Sequence, residues 1–203
     1  MIAIVDYGAS NLRSVEKGLE RVGYEARITD DPDTIRKAKA VVFPGDGAAA
    51  TTMVSLRAKG LEEVIREAVA SEKPFLGICL GLQLLLGHHE EGPTDCLGVI
   101  PGNIPRFAPG LKVPHMGWNN VEFRIDSPLF EGVPSGSYFY FVHSYYPNPS
   151  DPDVIVGETE YGSRFCSALQ RGNIFGTQFH PEKSSDIGLR VLANFGRIVK
   201  KCS

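Results

Sequence analysis

The chain has 203 residues, of which 42% are hydrophobic and 22% are charged, and its formal net charge at pH 7 is −3. A chain of this length buries roughly 70% of its unfolded surface, so it can fold without disulfide bonds. No basic stripe indicates a nucleic-acid partner, and no apolar run reaches the ~18 residues that a membrane-spanning helix needs.

The N-terminus and the cysteines indicate a cytoplasmic protein. The segment MIAIVDYG has no basic region and no cleavage-like site, so we interpret it as a first strand rather than a signal peptide. No C-x-x-C pair is present, which argues against a zinc knuckle. We therefore expect free thiols in a reducing cytosol at all four cysteines, which are Cys79, Cys96, Cys166 and Cys202.

The first half of the chain alternates apolar strands with helices. We predict strands in IAIVDYG, YEARIT, AVVFPG and PFLGIC, and helices in SNLRSVEKGLERVG, DDPDTIRKA and residues 61–70. Apolar residues of the first helix share one face, and Gly23 ends it; they are Leu12, Val15, Leu19 and Val22. This alternation predicts an α/β fold with an open, mostly parallel sheet flanked by helices.

The second half changes character, because short apolar segments are broken by Pro and Gly. We predict strands in SYFYFVHSYY and DVIVGETEYG, and a hairpin in RFCSALQRGNIFGTQFH that turns at Gly172 and Asn173. The last helix contains IGLRVLANFGRIV, with Ser184 or Ser185 as its cap. The whole chain, residues 1–203, is therefore predicted to be one α/β domain with a β-rich insertion in its second half.

The stretch FLGICLGLQLLLG places Cys79 where a buried strand turns into an apolar helix. Active sites of open α/β sheets lie at the carboxyl ends of strands, and the spacing Gly77-x-Cys79-x-Gly81 is a cysteine form of the nucleophile elbow. The glycines make room for a tight turn, and the helix that follows lowers the pKa of a thiol at its N-terminus. The alternative is a buried, inert cysteine.

The motif FHPE near the C-terminus supplies a base and a group to orient it. His180 follows an apolar segment, and Glu182 is close enough for its carboxylate to reach the imidazole. The alternative is a surface turn before a helix, with Glu182 near the helix N-terminus. Together with the elbow, the motif predicts a triad of Cys79, His180 and Glu182.

GICLGLQ combined with FHPE resembles the class I glutamine amidotransferases, and PGDG at Pro44–Gly47 matches their oxyanion strand. Three further stretches, DYGASNLRSV, VPHMGWNNV and YFVHSYY, resemble the subgroup that supplies ammonia to a separate cyclase in histidine biosynthesis. The resemblance covers nearly the whole chain. Two alternatives remain: a subunit of another synthase, such as anthranilate or aminodeoxychorismate synthase, and a non-catalytic regulatory module.

The resemblance implies that Cys79 attacks the carboxamide carbon of L-glutamine and that water later hydrolyses the glutamyl thioester. His180 would move the proton, and Glu182 would orient His180. The oxyanion would be bound by the backbone N–H groups of Leu80 and, after a peptide flip, Asp46. Asp46 departs from the small apolar residue usual in the family, so we expect its carboxylate to point to solvent or to a partner chain.

The resemblance also implies a substrate site and a partner, but no cofactor or metal. The substrate-binding positions are Gly47, Gln83, Glu91, Ser144 and Tyr145. The partner is a (β/α)8-barrel cyclase that makes imidazole glycerol phosphate and aminoimidazole carboxamide ribotide from the channelled ammonia. It would be contacted by Asn11, Trp118, Tyr140 and Lys183.

Two polar or aromatic stretches allow simpler interpretations. We interpret HHEE, residues 88–91, as a solvated helix end rather than a metal site. Tyr138 and Tyr140 are equally consistent with an ordinary core strand.

Overall fold

The computed structural model describes residues 1–202, so Ser203, at the end of the predicted domain, lies outside the described residues. The strands are β1 (Ile2–Val5), β2 (Ala26–Thr29), β3 (Ala40–Phe43), β4 (Phe75–Ile78), β5 (His88–His89), β6 (Thr94–Asp95), β7 (Gly102–Ile104), β8 (His115–Phe123), β9 (Ser137–His143), β10 (Asn148–Pro149), β11 (Ile155–Tyr161), β12 (Ser163–Arg171) and β13 (Ile174–Thr177). The α-helices are α1 (Leu12–Arg21), α2 (Pro32–Lys37), α3 (Ala49–Ala58), α4 (Leu61–Ala70), α5 (Leu80–Gln83) and α6 (Ser185–Lys201).

Within residues 1–202, the central sheet has nine strands in the order β2-β1-β3-β4-β13-β12-β11-β8-β9. The first five are parallel and are called the parallel half below; the last four run antiparallel and are called the antiparallel half. The reversal occurs at the predicted hairpin, where Gly172 turns with φ +59°. The predicted α/β class is confirmed, and the β-rich segment mainly continues the same sheet.

Strands β1, β3, β4 and β13 of the parallel half are covered on both faces, as their continuous apolar runs predict, whereas the edge strand β2 is partly exposed. In β1, Ala3 and Val5 pack on the side of α2, α3 and α4, whereas Ile2 and Ile4 pack on the side of α1 and α6. The predicted helices are present, and Asp31 caps α2 by accepting from the N–H groups of Asp33 and Thr34. In residues 1–202, no helix is long and apolar enough to cross a membrane.

Helix α3 is absent from the sequence prediction. Its buried residues are Ala49, Thr52, Met53 and Leu56, while Val54 is 64% exposed. The buried face of α3 includes small and polar residues, and its outer face carries an apolar residue. The apolar residues therefore show no clear 3.6-residue periodicity. The pattern therefore gives little indication of this helix.

The apolar helix that we predicted after Cys79 is present but only one turn long. The carbonyl groups of Leu84, Leu85 and Leu86 accept hydrogen bonds from residues 97–100 instead of from a further helical turn. All three side chains are still fully buried. The predicted solvated helix end at residues 88–91 is also wrong, because His88–His89 forms β5 in a small sheet ordered β10-β7-β5-β6.

Ser184 occupies the N-cap position of α6 but does not cap it through its side chain, as a Ser cap normally does. Its hydroxyl donates to the carbonyl oxygen of His180 (2.6 Å) and accepts from the backbone N–H of Tyr140 (3.0 Å). Ser184 therefore fastens the turn that carries His180 to strand β9.

Candidate active site

Cys79 lies directly after β4 in a strained conformation, with φ +53° and ψ −111°. Such a conformation is costly for a residue with a Cβ and persists only where the surroundings enforce it. Its backbone N–H donates to the carbonyl oxygen of Thr177 at 2.7 Å, which ties the turn to the neighbouring strand β13. The thiol is thus presented at the carboxyl end of the parallel half.

The two glycines beside Cys79 are required by close packing. A Cβ at Gly81 would lie 1.8 Å from the carbonyl oxygen of Phe43, and one at Gly77 would lie 2.9 Å from the backbone of Leu82. Backbone atoms cannot retreat as a flexible side chain can. The predicted steric role of both glycines is confirmed.

His180 and Glu182 form a buried pair three to five residues beyond β13. The Nδ1 atom of His180 donates to Oε1 of Glu182 at 2.8 Å, and their side chains are 2% and 0% exposed. Within the described part of the chain, no hydrogen bond reaches Nε2 of His180. The bond at Nδ1 fixes the ring orientation and leaves Nε2 available for proton transfer.

The charges around His180 favour its protonated form. Burial alone lowers the pKa of the imidazole, but the negative charges of Cys79 and Glu182 outweigh burial and raise the pKa to about 10. A protonated His180 is the form that can donate a proton from Nε2.

Asn11 was predicted only as a partner contact, and the structure gives it a contact with the triad. Its side-chain Nδ2 donates to Oε1 of Glu182 at 3.0 Å, and the residue is 6% exposed. One oxygen of Glu182 therefore accepts from both His180 and Asn11. Nothing local indicates this contact in the sequence, because 171 positions separate the two residues.

Gln178 is a candidate site residue that the sequence reasoning missed. It is fully buried, and its Nε2 donates to the sulfur of Cys79 at 3.4 Å. A donor at this position stabilises the thiolate form of the cysteine. An amide side chain between Thr177 and Phe179, at the end of a buried strand, was its indication in the sequence.

Gln83, a predicted substrate contact, lines the cavity but is 4% exposed and engaged with the protein. Its Nε2 donates to the carbonyl oxygen of Tyr145 and to Oε1 of Gln178, both at 2.8 Å. Its Oε1 accepts from Nε2 of His89 at 3.0 Å. Burial lowers the pKa of His89 to about 4, so His89 is a neutral donor near pH 7.

A chain of buried histidines in the antiparallel half also reaches the carbonyl oxygen of Tyr145, which accepts from Gln83. Nδ1 of His115 donates to Nε2 of His143 at 3.0 Å, and Nδ1 of His143 donates to the carbonyl oxygen of Tyr145 at 2.8 Å. Burial lowers the pKa of His115 to about 4 and that of His143 to about 3. Both rings are neutral near pH 7, and their hydrogen bonds fix their tautomers.

The two predicted oxyanion donors belong to different segments, one directly after Cys79 and one in the loop after β3. Leu80 is the first residue of α5, where a backbone N–H has no acceptor within the helix. Asp46 lies in the Pro44–Gly47 loop, and Gly47 there has φ +89°. The carboxylate of Asp46, which we expected to point to solvent or a partner chain, accepts from the N–H and the hydroxyl of exposed Ser10.

These groups surround a cavity of about 240 Å³. Drug-sized ligands occupy sites of roughly 300–1,000 Å³, so this cavity suits a smaller molecule. Oε2 of Glu91 accepts from the N–H of Ala49 at 2.9 Å and so anchors the start of α3. The predicted residues that line the cavity are Asp46, Gly47, Cys79, Leu80, Gln83, Glu91, Ser144, Tyr145, His180 and Lys183.

The remaining predicted contacts lie outside the cavity. Trp118 is 53% exposed, and its ring meets that of half-buried Tyr140 edge to face, with centroids 6.2 Å apart. Met116 and Tyr138 on the same two strands are each 61% exposed, so the core interpretation of Tyr138 is wrong. Tyr140 and His180 are directly linked, because the N–H of His180 donates to the carbonyl oxygen of Tyr140 at 2.9 Å.

In residues 1–202, no group of three or more His, Cys, Asp or Glu side chains is arranged so that it could hold a metal ion. The described cysteines are all free, and burial raises the pKa of both Cys96 and Cys166 to about 12. These two thiols are therefore inert by comparison with a thiol in a polar cleft.

Comparison with known proteins places this site in a family. The family model for glutamine amidotransferase class-I matches residues 3–198. The chain is 54% identical over 200 residues to imidazole glycerol phosphate synthase subunit HisH of Moorella thermoacetica, covering 98% of this chain and 95% of that protein. It is 52% identical over 205 residues to subunit HisH of Syntrophotalea carbinolica, covering 97% and 99%.

The fold also resembles solved structures at low sequence identity. The structure of PurLQS from Thermotoga maritima superimposes with a TM-score of 0.76 at 19% identity, covering 98% of this chain and 97% of that one. At this identity the likeness concerns the fold alone.

Proposed function

This chain belongs to the class I glutamine amidotransferase family, within the group of imidazole glycerol phosphate synthase HisH subunits, and we propose that it hydrolyses L-glutamine at Cys79. The observation that carries the proposal is the meeting, in one cavity, of a strained Cys79 with a buried His180 that is oriented by Glu182. The ammonia is used in histidine biosynthesis by a separate cyclase.

The reaction begins when the thiolate of Cys79 attacks the carboxamide carbon of glutamine. Charge develops on the carboxamide oxygen, where the N–H groups of Leu80 and Asp46 stabilise it. His180 gives its proton from Nε2 to the leaving nitrogen, and ammonia departs. Glu182 keeps the ring aligned throughout and stabilises the imidazolium.

The second half of the reaction releases glutamate. His180, now neutral, takes a proton from a water molecule that attacks the glutamyl thioester, and the thiolate leaves. Glu91 and Lys183 bring opposite charges to the cavity wall, which suits the zwitterionic end of glutamine. Gly47, Ser144 and Tyr145 complete the substrate-binding wall, and Gln83 shapes it from behind.

Ammonia is useful to a second enzyme only if it is kept out of water, where most of it becomes ammonium. We therefore place the partner, a (β/α)8-barrel cyclase, on the exposed face of β8 and β9. Trp118, Met116 and Tyr138 supply the exposed apolar and aromatic area that favours an interface. Tyr140 and Lys183 connect this face to the cavity, and Asn11 connects the loop after β1 to Glu182.

This arrangement suggests that partner binding acts on the triad. The N–H of His180 is bonded to Tyr140, and Lys183 directly follows Glu182. We expect slow glutamine hydrolysis by the isolated chain and faster hydrolysis when the cyclase has bound its acceptor substrate. A cytoplasmic location fits the free cysteines.

The test is an assay of glutamate formation with and without the cyclase and its acceptor. Cys79→Ala should abolish glutamate formation yet leave the complex active with added ammonia, while Cys202→Ala, at an exposed cysteine, should behave as wild type. Glutamate formation by the Cys79→Ala complex would exclude the triad, and equal rates with and without the cyclase would exclude activation by the partner.

A further inference from the structure

The carboxylate of Asp46 is held by a residue that lies outside the cavity wall. Its Oδ1 accepts from the backbone N–H of Ser10 at 3.1 Å, and its Oδ2 accepts from the Ser10 hydroxyl. Ser10 belongs to the loop between β1 and α1, 36 positions away in sequence. Both oxygens of an acidic residue in the cavity wall are therefore occupied by one neighbour.

The position of the Asp46 carboxylate matters because negative charge develops beside it in the proposed reaction. Asp46 flanks the site where the proposed mechanism places negative charge, first on the sulfur of Cys79 and then on the oxyanion. Like charges at short range in a partly desolvated site oppose each other. An Asp46 carboxylate that turned into the cavity would therefore work against its own backbone N–H.

The buried hydroxyl of Tyr7 shows that the two groups share one electrostatic environment. Burial raises the pKa of Tyr7, and the charges of Asp46 and Cys79 raise it further. A Cβ at Gly45, next to Asp46, would lie 2.8 Å from the Tyr7 oxygen, so the loop is packed directly on this ring. The loop is therefore tightly packed at Gly45, and the next residue, Asp46, carries its charge.

We propose that Ser10 is a positioning residue that keeps the Asp46 carboxylate out of the cavity and so preserves the oxyanion site. This inference rests on the proposed glutamine hydrolysis. It also explains how the chain tolerates an acidic residue in the Pro44–Gly47 loop. Ser10 acts on the reaction only through Asp46, so its effect must vanish when the carboxylate is removed.

The test compares four variants in the complex with the cyclase and its acceptor. Ser10→Ala removes the hydroxyl donor and should lower kcat for glutamine about tenfold with KM nearly unchanged, because the loss is felt where charge develops. Ser10→Thr retains a hydroxyl and should recover most of the rate. Asp46→Ala removes the carboxylate, and Ser10→Ala combined with Asp46→Ala should match Asp46→Ala alone.

Two controls separate this proposal from its premise. Ser14→Ala removes an exposed hydroxyl at the start of α1 and should not change kcat. Activity with added ammonia should be equal in all variants, since it does not use the oxyanion site. An unchanged kcat in Ser10→Ala would overturn the role of Ser10. So would a kcat of the double variant that is tenfold below that of Asp46→Ala. Failure of the wild-type complex to hydrolyse glutamine would instead overturn the proposed function.

Discussion

The parallel and antiparallel halves of the sheet differ in what their surfaces do. Strands β1, β3, β4 and β13 of the parallel half are buried on both faces, and Cys79 lies directly after β4. In the antiparallel half, β8 and β9 bury Phe139 and Phe141 on one face and expose Trp118 and Tyr138 on the other.

In the proposed function, the parallel half positions the catalytic cysteine, and the antiparallel half offers the surface that binds the partner. A strained nucleophile needs surroundings that cannot yield, which strands packed on both faces provide. A partner needs an uncovered face, which an antiparallel sheet can offer on one side. His180 lies at the junction, since it follows β13 of the parallel half and is bonded to Tyr140 of β9.

Among the changes that leave Cys79 in place, the most damaging should be a methyl group at Gly81, where α5 packs against β3 of the parallel half. Gly81→Ala would place a Cβ 1.8 Å from the carbonyl oxygen of Phe43, so the elbow must move. We expect loss of glutamine hydrolysis by more than about 100-fold and destabilisation of about 3 kcal/mol or more. Steady-state kinetics and denaturant unfolding measure both effects.

Gly172→Asn is the matched control, because nothing lies near a Cβ at this hairpin turn and Asn tolerates its positive φ. Equal damage from both substitutions would show that glycine loss in general, and not the contact with Phe43, is responsible.

The next largest effect should come from the carboxylate that orients His180. Glu182→Gln removes one of the negative charges that raise the His180 pKa to about 10, so that pKa should fall. We expect kcat/KM to fall about 100-fold and its alkaline limb to move to lower pH. Glu160→Gln, at an exposed position, is the control, and an unshifted alkaline limb in Glu182→Gln would contradict the pairing.

The same pKa predicts how stability changes with pH. The pKa of His180 rises from 6.5 in the unfolded chain to about 10 in the folded one. Its contribution to the free energy of unfolding is therefore fully present below pH 6.5. The contribution should be lost as pH rises toward 10. Denaturant unfolding from pH 6 to 10 should show a smaller decline in Glu182→Gln than in wild type.

A smaller effect is expected from the donor to the sulfur. Gln178→Leu removes the N–H that bonds Cys79, so the thiolate should be less stable and kcat should fall about tenfold. Alkylation of Cys79 at a fixed pH near neutrality should be slower than in wild type. Gln170→Leu in the same hairpin changes only a bond to the carbonyl oxygen of Gly172 and serves as control. Identical alkylation rates for wild type and Gln178→Leu would rule out a role of Gln178 in stabilising the Cys79 thiolate.

The smallest effect on chemistry should come from the exposed face of the antiparallel half. Trp118→Ala should weaken cyclase binding by about 30-fold or more, as loss of an aromatic anchor does, while kcat at saturating cyclase stays near wild type. Titration of glutaminase activity with the cyclase separates the two quantities. Ile125→Ala, at another exposed apolar residue, is the control, and a Trp118→Ala variant with wild-type affinity would remove β8 from the interface.

Sequence reasoning was strongest where one short motif carries its own physical requirement. Gly77, Cys79 and Gly81 predict a tight turn at a strand end, and the hairpin at Gly172 follows from local chemistry. Sequence reasoning was weakest for features that depend on contacts between residues distant in sequence. The one-turn length of α5 depends on residues 97–100, and the roles of Ser10, Asn11 and Gln178 depend on partners 36, 171 and 99 positions away.

The most direct test of the central claim is to trap the covalent intermediate. The complex is mixed with radiolabelled glutamine, quenched in acid during turnover and digested, and the labelled peptide is identified by mass spectrometry. We predict a glutamyl thioester on the peptide that contains Cys79, and none in Cys79→Ala. Label on the peptides of Cys96, Cys166 or Cys202, or glutamate formation by Cys79→Ala, would contradict the account.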